Sequence, residues 1–364
     1  MSQRVVLSIG TKKGQFTLLS GADRKTFAVQ GPKITGATVY TTMIDTRSKP
    51  VIFAGATSYF FGTKVLRSDD LGKTFKETKT SPLFTKKDGR AMKNIWQIVP
   101  GKGARDLWCG VEPASLFYSK DHGKSWEAVK GLNDHPHARK WTPGAGGLCL
   151  NSIVPVNGRI HVSISAAGHY MSEDGGKTWN PSNKGIMAGF QPKPQIEYGQ
   201  CLHRIASHPS TPWRLYGQNH GGFDTCKDTG VIRSDDAGKS WKPIAKGLPS
   251  DFGFNMALHP HDPNTLFVIP LEPSTRACPN GAPAVYRSEN GGSSWQRMDK
   301  GFPKKDAYFT VLRDAMAVDE MKSPGVYFGT TTGQVWASRD AGESWSRIAD
   351  SLPPIYSVRA AAIR

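Results

Sequence analysis

Residues 172–179 read SEDGGKTW, and the Gly-Lys-Thr at 176–178 has the ending of a phosphate-binding loop. Such a loop needs G-x-x-x-x-G-K-[ST] between a strand and a helix, so that backbone amides ring the phosphates. Five residues before Gly176 stands Met171, so the leading glycine is missing. Gly72, Gly123 and Gly238 open similar tripeptides, and there the same position holds Arg67, Tyr118 and Arg233. Four failures of one test reject the nucleotide reading.

What recurs is longer: S-x-[DN]-x-G-x-[ST]-[WF]. The copies are SDDLGKTF at Ser68, SKDHGKSW at Ser119, SEDGGKTW at Ser172, SDDAGKSW at Ser234, SENGGSSW at Ser288 and SRDAGESW at Ser338. Their intervals are 51, 53, 62, 54 and 50 residues. A period near fifty in a chain of short strands marks a propeller. Alternating apolar residues before the copies (GVIRS, AVYRS, QVWAS) predict one strand, and the residues after them (WEAV, WKPI, WSRI) predict the next. The copy is the turn between. Its Asp and Ser can bond to the turn's own backbone, its Gly permits a positive φ, and its aromatic packs between sheets. A catalytic acid in each copy is implausible, because one pocket cannot use six equivalent positions.

A seventh, worn copy stands first. GTKKGQFTLLS (Gly10 to Ser20) parallels GTTTGQVWAS (Gly329 to Ser338), and SGADRKTF follows where a box belongs. This unit lacks an innermost strand, while the last unit is followed by a surplus one, PPIYSVRAAAIR. Pairing the two chain ends closes the ring and leaves no open seam. The fold expected is all-β, a seven-bladed β-propeller whose first blade is completed by Tyr356 to Ile363. Residues 1–364 are expected to form one domain.

Composition agrees. Among 364 residues are 39 glycines and 25 prolines, with 38% hydrophobic residues, as many short elements and tight turns require. No apolar run approaches the roughly 18 residues of a membrane helix. The apolar stretch in MSQRVVLSIGTKK is too short for a secretory leader, so a cytoplasmic location without membrane association is expected. Five scattered cysteines (Cys109, Cys149, Cys201, Cys226, Cys278) form no C-x-x-C pair, which reads as reduced thiols rather than disulfides or a zinc site. The net charge of +17 is large, but the basic residues are dispersed, and a nucleic-acid partner is not expected.

The six copies resemble the Asp-box, or bacterial neuraminidase repeat, propellers, and the resemblance covers essentially the whole chain. That family includes sialidases, xyloglucan-cleaving glycosidases, sortilin-type receptors and photosystem assembly factors. The stretches HPHARKWTPGAGGLCL, EYGQCLH, QNHGG, FGF and VLRDAM further resemble a cytoplasmic bacterial subgroup labelled glycosyl hydrolase or sialidase-like. The resemblance implies Asp-box turns on one face and function around the channel mouth on the other.

Candidate residues follow from the loops that reach this mouth. The connection after Ser119 carries His135, His137 and Trp141; the next ends in Glu197 and Tyr198, ahead of a strand with His203 and Arg204. Two further loops hold Gln218, Asn219 and His220, and Glu272 with Arg276. Inner strands add Arg313, Asp314 and Arg359. Converging guanidiniums make a fork for a carboxylate or phosphate. The H-x-H at His135 and His137 shows no evident third ligand, so neither metal nor cofactor is expected. Glu112 and Glu272 share a V/L-E-P context, which argues a structural share for both.

Two readings result. In the first, an enzyme or binder takes a small anionic or carbohydrate-like molecule. Glu197, Glu272 and Asp314 would serve as acid/base groups, His203 or His220 as proton shuttle, and Arg204, Arg276, Arg313 and Arg359 as anion binders. True sialidase chemistry is disfavoured: no R-I-P motif stands near the N-terminus, sialidases have six blades, and Glu197 and Tyr198 are adjacent. In the second, a non-catalytic propeller binds a protein partner.

Overall fold

The computed structural model describes residues 3–363 and contains seven antiparallel sheets of four strands each. Each sheet is one blade. The inner strands of blades two to seven are Ala37–Asp45, Asn94–Pro100, Cys149–Val156, Leu202–Ser207, Ala257–Leu258 and Met316–Val318. Each packs against the inner strand of the next blade, and Met316–Val318 packs against the C-terminal strand, which closes the circle. Apolar residues of adjacent sheets interleave to form the core, with Leu7, Ile52, Leu116, Val162, Leu215, Phe267 and Tyr327 fully buried.

Blade one is built from both ends of the chain, as the surplus strand requires. Its order is Ile355–Ile363, Arg4–Thr11, Gly14–Ser20 and Phe27–Lys33. The joint is antiparallel, with Val6 opposite Ala361 and Ser8 opposite Arg359. The closing strand begins at Ile355, one residue before the expected start. Every interior edge at the seam is therefore paired, which removes a template for aggregation.

The six boxes share one hydrogen-bond pattern. The box serine Oγ accepts the amide of the glycine four residues on, at 2.7–2.9 Å. It donates in turn to the side-chain oxygen of the box Asp or Asn at 2.7–3.0 Å. In the five aspartate boxes the second carboxylate oxygen accepts the Thr or Ser hydroxyl at 2.6 Å. Asn290 reverses this polarity, its amide donating to Ser294 Oγ at 2.8 Å. Such donors, Thr74 foremost, hold the Asp70 carboxyl down at about 2. The box glycine is obligatory: Gly72 has φ +84°, and a Cβ there would collide with the Thr17 hydroxyl. Trp179, Trp241 and Trp345 are buried between blades, and Phe75, Trp126 and Trp295 are half-buried.

The worn copy in blade one does something else. Ser20 Oγ accepts the Val5 amide at 2.7 Å instead of a box glycine. Arg24 occupies the glycine position with φ +55° and reaches into blade seven. There its guanidinium donates to Asp319 at 3.0 Å and to the carbonyls of Ser323 and Arg339. The box at the seam has become a clamp between blades. No helix among the described residues is long and apolar enough to cross a membrane.

Candidate functional site

Along each blade the chain runs outward from the axis, so box turns and inner hairpins share one face. The loops between blades, and those joining second to third strands, share the other. On that second face the inner strands of five consecutive blades carry a one-residue bulge. The unpaired residues are Tyr356, Tyr40, Trp96, Asn151 and His203. A bulge breaks the two-residue alternation and re-aims a side chain, which here turns these groups toward the funnel. Tyr356, Tyr40, Trp96 and Asn151 line a cavity of about 490 Å³ at the mouth. Phe254, Thr310, Leu312, Arg313 and Asp314, from segments leading into the inner strands of blades six and seven, complete the wall with Glu112, Gly146, Gly147 and Arg276.

The charged groups of this wall differ in their freedom. Asp314 is buried and bound by the guanidiniums of Arg204, at 2.6 Å, and of Arg359, and by Thr41 Oγ1 at 2.9 Å. Burial by itself would raise its carboxyl; Arg359 and Arg204 override that and hold it below the usual range. Arg313, the preceding residue, has no carboxylate within ion-pair reach among the described residues. Its Nε is buried without a hydrogen-bond partner. The guanidinium carbon lies 4.9 Å from the Phe254 ring centre and 5.7 Å from that of Trp96, so two aromatic faces hold it in place. Glu112 is buried, with Oε2 accepting Asn94 Nδ2 and Trp96 Nε1, each at 3.0 Å. Gly147 covers this carboxylate so closely that a Cβ would overlap Oε1. Tyr40 and Tyr356 stack at 4.9 Å with their planes 10° apart.

Arg276, Arg313 and Asp314 are thus brought together at one cavity, whereas other residues singled out from the sequence lie elsewhere. Arg204 and Arg359 are engaged by Asp314 beneath the wall. Glu197 is exposed on the loop before blade five, its carboxylate 4.0 Å from His137 Nε2. Tyr198 stacks on His137 at 4.1 Å, and His137 and Trp141 both bond to the Tyr170 hydroxyl, at 3.1 and 2.9 Å. His135 packs on the same tyrosine. This aromatic cluster fastens a loop to blade four, away from the cavity. Gln218 and Asn219 direct their amides to backbone carbonyls of neighbouring loops. Glu272 is on the blade-six loop but not on the cavity wall. His203 and His220 adjoin Cys201 on the blade-five side: His203 Nδ1 donates to the Gly253 carbonyl at 2.7 Å, and Nε2 is 3.4 Å from Cys201 Sγ. Burial, with Arg276 and Arg313 nearby, lowers His220 to about 4.

Glu112, Tyr40, Trp96, Phe254 and Tyr356 were not legible as wall residues. The available signal is a break in alternation: in Tyr40-Thr41, Trp96-Gln97, Asn151-Ser152 and Tyr356-Ser357 a polar residue follows the bulged one inside an otherwise apolar strand.

The BNR/Asp-box repeat model matches residues 117–128, the strand end and turn of the box at Ser119. Six such turns stand on the seven-bladed ring. The chain is a seven-bladed propeller with Asp-box turns. It is 26% identical over 255 residues to a probable oligoxyloglucan-reducing end-specific xyloglucanase of Neosartorya fischeri, covering 63% of this chain and 30% of that protein. This propeller therefore spans less than a third of the length of that curated relative. The structure of a Niastella koreensis GH74 enzyme superposes with a TM-score of 0.54 at 16% identity, over 97% of this chain and 68% of the other. YCF48 bound to D1 peptide gives a TM-score of 0.55 at 15% identity, over 86% and 82%. At these identities the two structures establish the fold.

Proposed function

We propose that the mouth of this propeller binds a small anionic, carbohydrate-like molecule. The observation that carries the reading is Arg313: a guanidinium without a carboxylate among the described residues, held between two aromatic faces at the wall of a cavity of about 490 Å³. An unpaired guanidinium in a partly dry funnel is a fork for a carboxylate or phosphate. Arg276 adds a second positive charge at the rim, and Tyr40, Trp96, Phe254 and Tyr356 offer flat faces to a sugar ring. The similarity to a xyloglucanase supports a carbohydrate-like body for the ligand.

Cleavage of a glycosidic bond ordinarily needs two carboxyl groups with distinct roles. Of the two on this wall, Asp314 is fixed as an anion by two arginines, which removes it as a proton donor. Glu112 is the remaining acid/base candidate. The geometry favours recognition over two-carboxylate hydrolysis.

A thermal-shift panel tests this, with neutral xyloglucan oligosaccharides, sugar acids and sugar phosphates as three arms. Ligand binding to the native state raises Tm; the acids or phosphates should do so and the neutral sugars should not. Equal shifts from neutral and charged sugars, or none from either charged class, would contradict the reading. Hydrolysis of the oligosaccharides that disappears in Glu112→Gln would move it to a glycosidase.

The second reading, a protein partner, is favoured by Tyr59, Phe60 and Phe61. They are 95%, 83% and 75% exposed on the loop between the second and third strands of blade two, on the same face as the cavity. Three exposed aromatics at one tip are an unusual surface for a protein that binds only small molecules. Loss of a co-purifying partner in the triple serine variant, with no hit in the panel, would favour it.

A further inference from the structure

We propose that Cys201, His203 and His220 form a zinc site on the blade-five side of the funnel, with three protein donors and a fourth position open. Their ligand atoms, one thiol sulfur and two imidazole nitrogens, lie within 4.8 Å of one another. Tetrahedral zinc with Zn–S of about 2.3 Å and Zn–N of about 2.0–2.1 Å separates sulfur from nitrogen by roughly 3.5 Å. Cys201 Sγ and His203 Nε2 stand 3.4 Å apart. That pair already has the required spacing.

The backbone explains the arrangement. Cys201 immediately precedes the blade-five inner strand and His203, two residues on, is its unpaired bulge residue, and the short distance between their sulfur and nitrogen shows both on the same side. His220 comes from the end of the neighbouring strand, where its amide donates to the Cys201 carbonyl at 3.0 Å and fixes it beside the thiol.

The surroundings have the features of a metal shell. The Nδ1 donation to Gly253 sets the tautomer of His203 and leaves Nε2 as a lone pair directed at the sulfur. Ser165 Oγ lies 2.9 Å from the sulfur, placed to donate to a thiolate. The His220 ring nitrogens have no hydrogen-bond partner among the described residues. Phe252 and Phe254 pack on His203, and Phe190 and Phe223 on His220, which keeps the donors dry. His220 is only half-buried, which gives an ion a way in. One soft sulfur with two imidazoles is a donor set for zinc rather than for calcium or magnesium.

Binding releases the thiol proton, since the thiolate is the ligand. The test is a titration of untagged, chelator-treated full-length protein with Co²⁺ and then Zn²⁺. The expected result is one equivalent of Co²⁺, a thiolate-to-cobalt charge-transfer band, and its loss when Zn²⁺ displaces the cobalt. Cys201→Ser should abolish the band, and His220→Ala, on the half-buried loop, should weaken affinity at least tenfold. The double variant His135→Ala/His137→Ala should leave both unchanged. Absence of stoichiometric binding to folded wild-type protein, or a signal that follows His135 and His137 instead, overturns the site.

Discussion

Arg204 donates to Asp314 at 2.6 Å across the channel, joining the inner strand of blade five to the segment that enters blade seven. Arg359 of blade one meets the same carboxylate. With Thr41 of blade two also donating to it, one aspartate thus ties four blades together at the axis, and its sequence neighbour Arg313 is left without a carboxylate among the described residues. This division predicts that two arginines of similar appearance will respond oppositely to truncation. Arg204→Ala removes one partner of a buried ion pair and should cost about 3 kcal/mol of stability, measured by urea denaturation. Arg313→Ala removes only stacking on Phe254 and Trp96, and should stay within about 1 kcal/mol of wild type. Equal losses from the two would show that Arg313 is structural.

The boxes predict a graded loss within a single turn. Gly72→Ala forces a side chain into a left-handed backbone against Thr17 and should cost about 2–3 kcal/mol. Ser172→Ala leaves the Gly176 amide without its buried acceptor and should cost about 1–2 kcal/mol. Neither should alter ligand affinity, because the boxes are on the face away from the cavity. A change in affinity with unchanged stability would place function on the box face.

Closure of the ring predicts the effect of removing its last strand. Deleting residues 355–364 leaves Arg4–Thr11 unpaired along its inner side and uncovers Val5, Leu7 and Ile9. Such a chain should be recovered aggregated or unfolded, as judged by size-exclusion chromatography and near-ultraviolet circular dichroism. A soluble, monomeric, cooperatively folding deletion would contradict the closure.

A buried histidine pair sets the acid limit. His161 Nδ1 and His169 Nε2 are 3.0 Å apart in blade four, and both rings are fully buried. Burial lowers His161 to about 2 and His169 to about 4. In the unfolded chain both titrate near 6.5, so as pH falls below that value the unfolded state takes up protons that the folded state refuses. Stability is complete above pH 6.5 and falls as pH drops below it, the His169 share being lost by about pH 4 and the His161 share by about pH 2, together a few kcal/mol in order of magnitude. His169→Gln should flatten that slope of Tm against pH. A slope unchanged by the substitution would assign the acid limit to other groups.

The fold was legible because each box is a local device. Ser172, Asp174 and Gly176 satisfy one another within five residues, so their spacing survives in the sequence whatever surrounds it. The surplus strand after Leu352 was legible for the complementary reason that blade one lacked a partner. The site was not legible to the same degree, because its partners meet across the channel. Nothing local in Leu312-Arg313-Asp314 says that the aspartate will be bound by Arg204, 110 residues earlier, and Arg359, 45 residues later. Glu197 stands in a long polar loop that looks functional, yet the loop is anchored by Tyr198 on His137 and keeps the carboxylate in solvent. The V/L-E-P context that Glu112 shares with Glu272 argues a structural share for both, yet the bulge at Trp96 brings an indole donor to Glu112 at the cavity wall.

The central claim is that Arg313 at the funnel mouth recognises an anionic carbohydrate-like molecule. The most direct measurement is calorimetric titration of the best sugar acid or sugar phosphate from the thermal-shift panel into wild type, Arg313→Ala and Arg313→Lys. A charge-assisted bond of about 1.5–3 kcal/mol corresponds to roughly a 10- to 150-fold loss of affinity in Arg313→Ala. Partial recovery is expected in Arg313→Lys, which keeps the charge but not the planar fork. Equal affinities in all three, with the fold intact, would contradict the account.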